Sequence, residues 1–154
     1  MIEYTKNRSQ ETKGGDFLNI LFYLTPKANC ELLYDDESVR EALERMELSG
    51  FMALPIVNQA DGRYRGTLTE GDLLWGMKNV CGMDLKEAEL HNIMEITHSR
   101  DNRPVTVTTD VRDLLQMVLV QNFVPVVDDR GTFIGIVTRR TVLREYLKTL
   151  GIEA

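Results

Sequence analysis

The sequence predicts a mixed α/β (α+β) fold made of two pseudo-symmetric β-α-β-β-α units packed through their sheets. Three observations carry this expectation. The apolar helix face Val39, Ala42, Leu43, Met46 recurs as Val111, Leu114, Leu115, Val118, 72 residues on. The run Leu54-Pro55-Ile56-Val57 recurs as Val124-Pro125-Val126-Val127, 70 residues on. The series Asp61-Gly62, Gly66, Thr69 and the face Leu73, Leu74, Met77 recur as Arg130-Gly131, Gly135, Thr138 and Val142, Leu143, Tyr146, 69 residues on. A near-constant period whose drift is absorbed by short loops marks a duplicated supersecondary unit. Each copy, of about 50 residues, is too small to bury a comfortable core alone but can cover one face with its twin.

The elements follow in chain order. Residues 1–16 are expected to form a flexible tail, because Thr5 to Gly15 holds no apolar residue and ends in Gly-Gly. The first unit with a preceding helix is placed at 17–79. The apolar run from Phe17 supplies that helix, stopped by Thr25-Pro26 and expected to pack on the first half. Cys30 to Tyr34 reads as a strand, and Asp35-Asp36-Glu37-Ser38 offers N-caps and acidic first-turn residues for the helix carrying Val39, Ala42, Leu43 and Met46. Ser49-Gly50 ends it, Ala53 to Val57 is a strand, Ala60-Asp61-Gly62 a turn and Tyr64 to Leu68 the returning strand. Thr69-Glu70-Gly71-Asp72 then caps a second helix. Residues 80–101 read as a polar linker, helical over Lys86 to Met94, and the second unit is placed at 102–150.

Composition narrows the function classes. The chain has 154 residues, 43% of them hydrophobic, with a net charge of -6. That acidic balance argues against a general nucleic-acid or anionic-membrane binder, which needs a basic surface for phosphates. With no signal peptide and no spanning apolar run, the cytoplasm is the expected compartment. His91 and His98 read as solvated linker residues, and Cys30 and Cys81 as small apolar residues, so no metal is expected. Trp75 suits a core or an interface. No nucleophile comes with a plausible base, so the chain is not expected to be an enzyme or to carry a cofactor.

The strongest chemical signal is Gly135-Ile136-Val137-Thr138-Arg139-Arg140. A strand hands over to a helix at Thr138, and a helix start concentrates unpaired N–H groups and partial positive charge. Two arginines in that first turn stand against the dipole. A phosphate-bearing ligand would gather the free N–H groups, the Thr138 hydroxyl and both guanidinium groups. The competing reading makes Thr138 a plain cap and leaves both arginines in water. Thr69 and Asp72 equally compose a complete capping box with no ligand.

These residues resemble a tandem pair of CBS domains, the module often called a Bateman domain. Each copy in that family has an apolar helix, an h-P-h-h strand (h, hydrophobic) and a strand ending G-h-h-[T/S]-x-x-[D/N] before its last helix. The first copy matches at Ala53 to Val57 and at Gly66-Thr67-Leu68-Thr69-Glu70-Gly71-Asp72. The second matches at Phe123 to Val127 and Gly135 to Thr138 but has Thr141 where a carboxylate or amide is expected. The chain is similar to stand-alone bacterial CBS-pair proteins, and its Thr-Arg-Arg resembles those that bind cyclic di-AMP. The resemblance implies crossed pockets. One would combine Thr138, Arg139 and Arg140 with Lys27, Cys30, Phe51, Met52 and Ala53. The other would combine Thr69 and Asp72 with Arg103, Val105, Asn122 and Phe123, Asp72 gripping a ribose. Glu70 repels phosphate in the second pocket, so the arginine pocket is expected to take the phosphate-rich ligand. The resemblance thus implies a non-catalytic homodimeric sensor of an adenine nucleotide, cyclic di-AMP ahead of AMP and ATP, that signals to a partner protein. The rival reading is a ligand-free interaction or dimerisation module.

Overall fold

Two strands with proline at their centre organise the molecule. In the computed structural model, which describes residues 19–99 and 101–153, β3 (Ala53–Val57) and β6 (Phe123–Val127) each run between a parallel and an antiparallel neighbour. β3 pairs in parallel with β2 (Leu33–Tyr34) and antiparallel with β4 (Tyr64–Thr69). β6 pairs in parallel with β5 (Val105–Thr106) and antiparallel with β7 (Phe133–Thr138). A proline has no backbone N–H to donate to a ladder, which normally keeps it out of central strands. Here the parallel neighbours are two residues long and pair only with Ile56–Val57 and Val126–Val127. Pro55 and Pro125 therefore lie just beyond the ends of the parallel pairing.

The helices of the two units form where the sequence places them, whereas the linker helix expected over Lys86 to Met94 ends at Leu90, where His91 turns extended, and a separate 3-10 turn follows at Ile93–Glu95. Val39–Ser49 is α1, with a reciprocal capping box between Ser38 and Glu41 and Gly50 closing it at φ 71°. Glycine reaches that left-handed conformation without the cost a Cβ brings. Glu70–Asn79 is α2, Leu85–Leu90 is α3, Val111–Val120 is α4 and Arg139–Thr149 is α5. Val39, Ala42 and Met46 pack with Leu54, Ile56, Leu68 and Leu73 in the first core, and Val111, Leu114 and Val118 pack with Val124, Val126 and Val137 in the second. The units join through their sheets. Leu32, Val57 and Phe133 form a third buried cluster, with the Tyr64 and Phe133 rings stacked at 6.4 Å. Across the join, Phe133 N–H donates to Gly62 O at 2.9 Å and Tyr64 N–H to Gly131 O at 3.2 Å.

Four expectations change here. The described part of the preceding segment is a short 3-10 turn, Ile20–Tyr23, and its buried side chains pack in the second core rather than the first. The physical reason is β1 (Thr25–Pro26), which pairs antiparallel with β7 and so commits the chain's start to the second sheet. The first strand is shorter than expected. Lys27–Asn29 is a 3-10 turn, and the Cys30 thiol donates to the carbonyls of Thr25 and Pro26. The linker is not merely polar, because Cys81, Ala88, Ile93 and Ile96 are buried in the first core. His98 is also less solvated than expected: its side chain is 10% exposed and its Nε2 lies 3.1 Å from Ile93 O. The tail at 1–16 lies outside the described residues.

A crossed architecture results. The segment before the first unit completes the second sheet, and the segment before the second unit closes on the first. Ser99 N–H donates to Asp72 Oδ1 at 2.8 Å, and Thr67 N–H to Asp101 Oδ1 at 3.2 Å. Ile96 fills the space beside Gly76, where a Cβ would lie 2.8 Å from its methyl carbon.

Candidate functional site

The starts of α2 and α5 face one shared cleft. It has a volume of about 370 Å³ and is lined by Met52, Thr69, Glu70, Gly71, Ser99, Asn102, Val120, Asn122 and Arg139. Each helix start is built by the local sequence. Thr69 Oγ1 accepts from Asp72 N–H at 3.1 Å, and Thr138 Oγ1 accepts from Thr141 N–H at 3.1 Å. These caps consume the amide of the third residue in each helix. Among the described residues the second amides, those of Gly71 and Arg140, have no hydrogen-bond acceptor; Gly71 lines the cleft, and Arg140 follows the lining residue Arg139.

The cleft draws from both expected pockets. Met52 and Arg139 come from one, and Thr69 and Asn122 from the other. Lys27 and Cys30 do lie against β7, the strand that ends at Thr138, as the crossing requires. Phe51 is exposed beside Met52, and Ala53 is half-buried at the start of β3. Val105 and Phe123 are core residues of the second unit, turned away from solvent. Arg103 is exposed, held by its backbone to the Gln121 side chain.

Two expected grips are already engaged. Asp72 is 2% exposed, its Oδ2 accepting from Thr69 N–H at 2.9 Å and its Oδ1 from Ser99 N–H. Burial pushes its pKa up, but the hydrogen bonds from Ser99 and Thr69 outweigh burial and hold it below the usual carboxylate range. The expectation that Asp72 grips a ribose therefore meets a carboxylate closed to solvent and spent on the helix cap. Arg139 is engaged differently. Its Nε donates to Val118 O at 2.6 Å and its Nη2 to Leu119 O at 3.1 Å. These are last-turn carbonyls of α4, the negative end of that helix dipole. Arg139, which stands against its own helix dipole, thus finds a negative partner in the C-terminus of another helix. Arg140 is exposed, with no ion pair or side-chain hydrogen bond among the described residues.

Asn102 was missed by sequence reasoning. It is buried, and its Nδ2 donates to Asn122 Oδ1 at 3.0 Å and Phe123 O at 2.9 Å, while its carbonyl accepts from the Tyr64 hydroxyl at 2.8 Å. It ties the floor of the cleft to the sheet join. Its one signal in the sequence was its place at the linker boundary. Burial holds the Tyr64 phenol far above its ordinary pKa, so the group stays protonated and remains a donor.

Comparison with known proteins fits this geometry. A model of the CBS domain matches residues 26–79 and 93–148. Among solved structures, a CbpB protein in complex with c-di-AMP superposes with a TM-score of 0.77 at 18% identity, over 86% of this chain and 87% of that one. A CBS domain protein from Streptococcus pneumoniae TIGR4 gives 0.73 at 23% identity, over 83% and 86%. CBSX2 in complex with AMP gives 0.65 at 26% identity, over 83% and 95%. No curated protein matches the chain. With both units matched in order and joined through their sheets, the chain belongs to the CBS domain family as a tandem pair.

Proposed function

We propose that this chain is a non-catalytic regulatory module that senses an adenine nucleotide between its two units and signals to a partner protein. The observation that carries the reading is the convergence of two helix starts, one from each unit, on one cleft lined by Glu70 and Gly71 of α2 and by Arg139 of α5, with an open amide at Gly71. A nucleotide there touches both units, so it stabilises the arrangement of the units that it binds best. The complexes of CbpB with c-di-AMP and of CBSX2 with AMP, which share the fold, support the ligand class. In this reading Thr138, Arg139 and Arg140 hold phosphate, and Lys27, Cys30, Phe51, Met52 and Ala53 surround the base. The module needs no cofactor, works in the cytoplasm and forms a homodimer. Among the described residues no helix is long and apolar enough to cross a membrane.

Cyclic di-AMP ranks ahead of AMP and ATP. A cyclic dinucleotide has its ribose 3′ oxygen esterified, so it gains little from a carboxylate at position 141 and would suffer its charge near the phosphates. Thr141 offers only a hydroxyl, itself 3.0 Å from Thr138 Oγ1. Titration calorimetry with competing nucleotides at one salt concentration is expected to rank cyclic di-AMP first on the wild type, and Thr141→Asp is expected to move the preference toward AMP. Tighter AMP or ATP on the wild type would reverse the ranking. Absence of binding by all three would favour the alternative, a ligand-free dimerisation module, for which the exposed apolar faces of α2, α4 and α5 are the supporting feature.

A further inference from the structure

The floor of the cleft holds an acceptor without a donor. Asn102 is 5% exposed and lines the cleft, and both N–H bonds of its side-chain amide are engaged, one by Asn122 Oδ1 at 3.0 Å and one by Phe123 O at 2.9 Å. A backbone carbonyl cannot become a donor, so Phe123 fixes which way round the amide sits. Oδ1 is left facing away from both partners, and among the described residues no donor reaches it. The polar groups around it are of other kinds: the Gly71 N–H is open, Arg139 brings a guanidinium, and the Glu70 carboxylate is exposed and free to turn to water. A phosphate satisfies the first two but brings no donor to Asn102. Asn102 does not keep this position alone. Behind it the Tyr64 hydroxyl donates to the Asn102 carbonyl at 2.8 Å and lies 2.7 Å from Thr67 Oγ1. The phenol has one proton and gives it to Asn102, so the Thr67 hydroxyl is the donor in the second bond. Thr67 is fully buried, its N–H held by Asp101 Oδ1 at 3.2 Å, and the Tyr64 ring stacks on Phe133. The backbone of Asn102 is thus pinned to β4 of the first unit and its side chain to the start of β6 in the second.

We infer that Tyr64, which does not line the cleft, is a positioning residue that sets its selectivity, by holding Asn102 with Oδ1 ready to accept from the exocyclic amine of an adenine base. The inference deepens the nucleotide reading above and rests on it. With phosphate held at the helix starts, the base end of the ligand reaches the floor between the sheets. There an amine fills the open acceptor, whereas hypoxanthine sets its own oxygen against Oδ1. The amide cannot turn to accommodate that oxygen without breaking its bond to Phe123 O. A buried polar group left unpaired by the wrong ligand is what makes such a site selective.

Titration calorimetry on the full chain tests this by comparing cyclic di-AMP with cyclic di-IMP, and AMP with IMP, at one salt concentration. The wild type is expected to bind the adenine member of a pair roughly 10- to 100-fold more tightly. Tyr64→Phe keeps the ring on Phe133 and removes only the hydroxyl, and it is expected to cut that ratio roughly 3- to 10-fold. Asn102→Ala is expected to abolish the preference; should that variant fail to fold, the wild-type and Tyr64→Phe ratios decide alone. Equal affinities within both pairs on the wild type would overturn the inference while leaving the sensor reading in place. A loss in Tyr64→Phe that is the same for both bases would make the tyrosine merely structural and overturn its role. A ratio preserved in Asn102→Ala would move the reading of the amine elsewhere, and a loss with cyclic di-2′-deoxy-AMP as large as that with cyclic di-IMP would give Oδ1 to a ribose hydroxyl; either overturns the inference. No binding of any of these nucleotides would overturn the sensor reading itself, and this inference with it.

Discussion

Gly135→Ala is expected to destabilise the fold by about 2–5 kcal/mol, the combined scale of a backbone collision and a strained φ in a packed site. A Cβ at this position, where φ is 156°, would lie 2.2 Å from the carbonyl oxygen of Thr25, on the strand that pairs with β7. That oxygen belongs to backbone held in a ladder and cannot swing aside. Gly66 occupies the equivalent position in the first unit at a φ of 144°, but its Cβ would meet Asp101 Oδ1 at 2.7 Å, the far end of a largely exposed side chain. The strain is shared, so the difference between the two substitutions isolates the collision. Denaturant unfolding should show Gly135→Ala clearly the more costly. Equal costs would mean that β1 is not firmly paired with β7 and that the crossed architecture is wrong in this detail.

Arg139→Ala is expected to lower stability by about 1.5–3 kcal/mol, the range for a hydrogen bond to a charged group, because the carbonyls of Val118 and Leu119 lose their donor at the end of α4. From sequence alone the same substitution should leave stability unchanged or slightly raised, since an arginine in a first turn opposes its own helix dipole. The packing of α4 against α5 changes the sign. Arg140→Ala is the companion measurement. With no side-chain partner among the described residues, its loss should leave the melting temperature near that of the wild type while weakening a phosphate-bearing ligand by a comparable amount. If Arg140→Ala melted lower and Arg139→Ala did not, the roles of the two arginines would be exchanged.

Most of the architecture was legible because it rests on local chemistry written twice. The apolar faces of α1 and α4 have helical spacing, and the Ser38–Glu41 and Thr69–Asp72 boxes name their helix starts. The glycines at 66 and 135 sit opposite Ile56 and Val126 in both sheets. What escaped depends on distant partners. An apolar run such as Ile20 to Tyr23 does not state which core it will join; β1 pairing with β7 decides that. Asp72 reads as a cap or as a ribose grip until Ser99, 27 residues away, occupies its other oxygen. Arg139 reads as unpaired until a helix 20 residues earlier ends beside it. For the same reason four residues expected in two separate pockets, Met52 and Arg139 with Thr69 and Asn122, line one cleft. Its walls are the starts of α2 and α5, brought together only when the sheets join.

The central claim is that a nucleotide sits between the two helix starts, and amide exchange by NMR with and without saturating cyclic di-AMP tests it most directly. The amides of Gly71 and Arg140, which lack an acceptor among the described residues, are expected to exchange fast without ligand and to slow together on binding, one on each unit. Protection at neither amide, or slowing confined to one unit, would contradict a site shared by the two units.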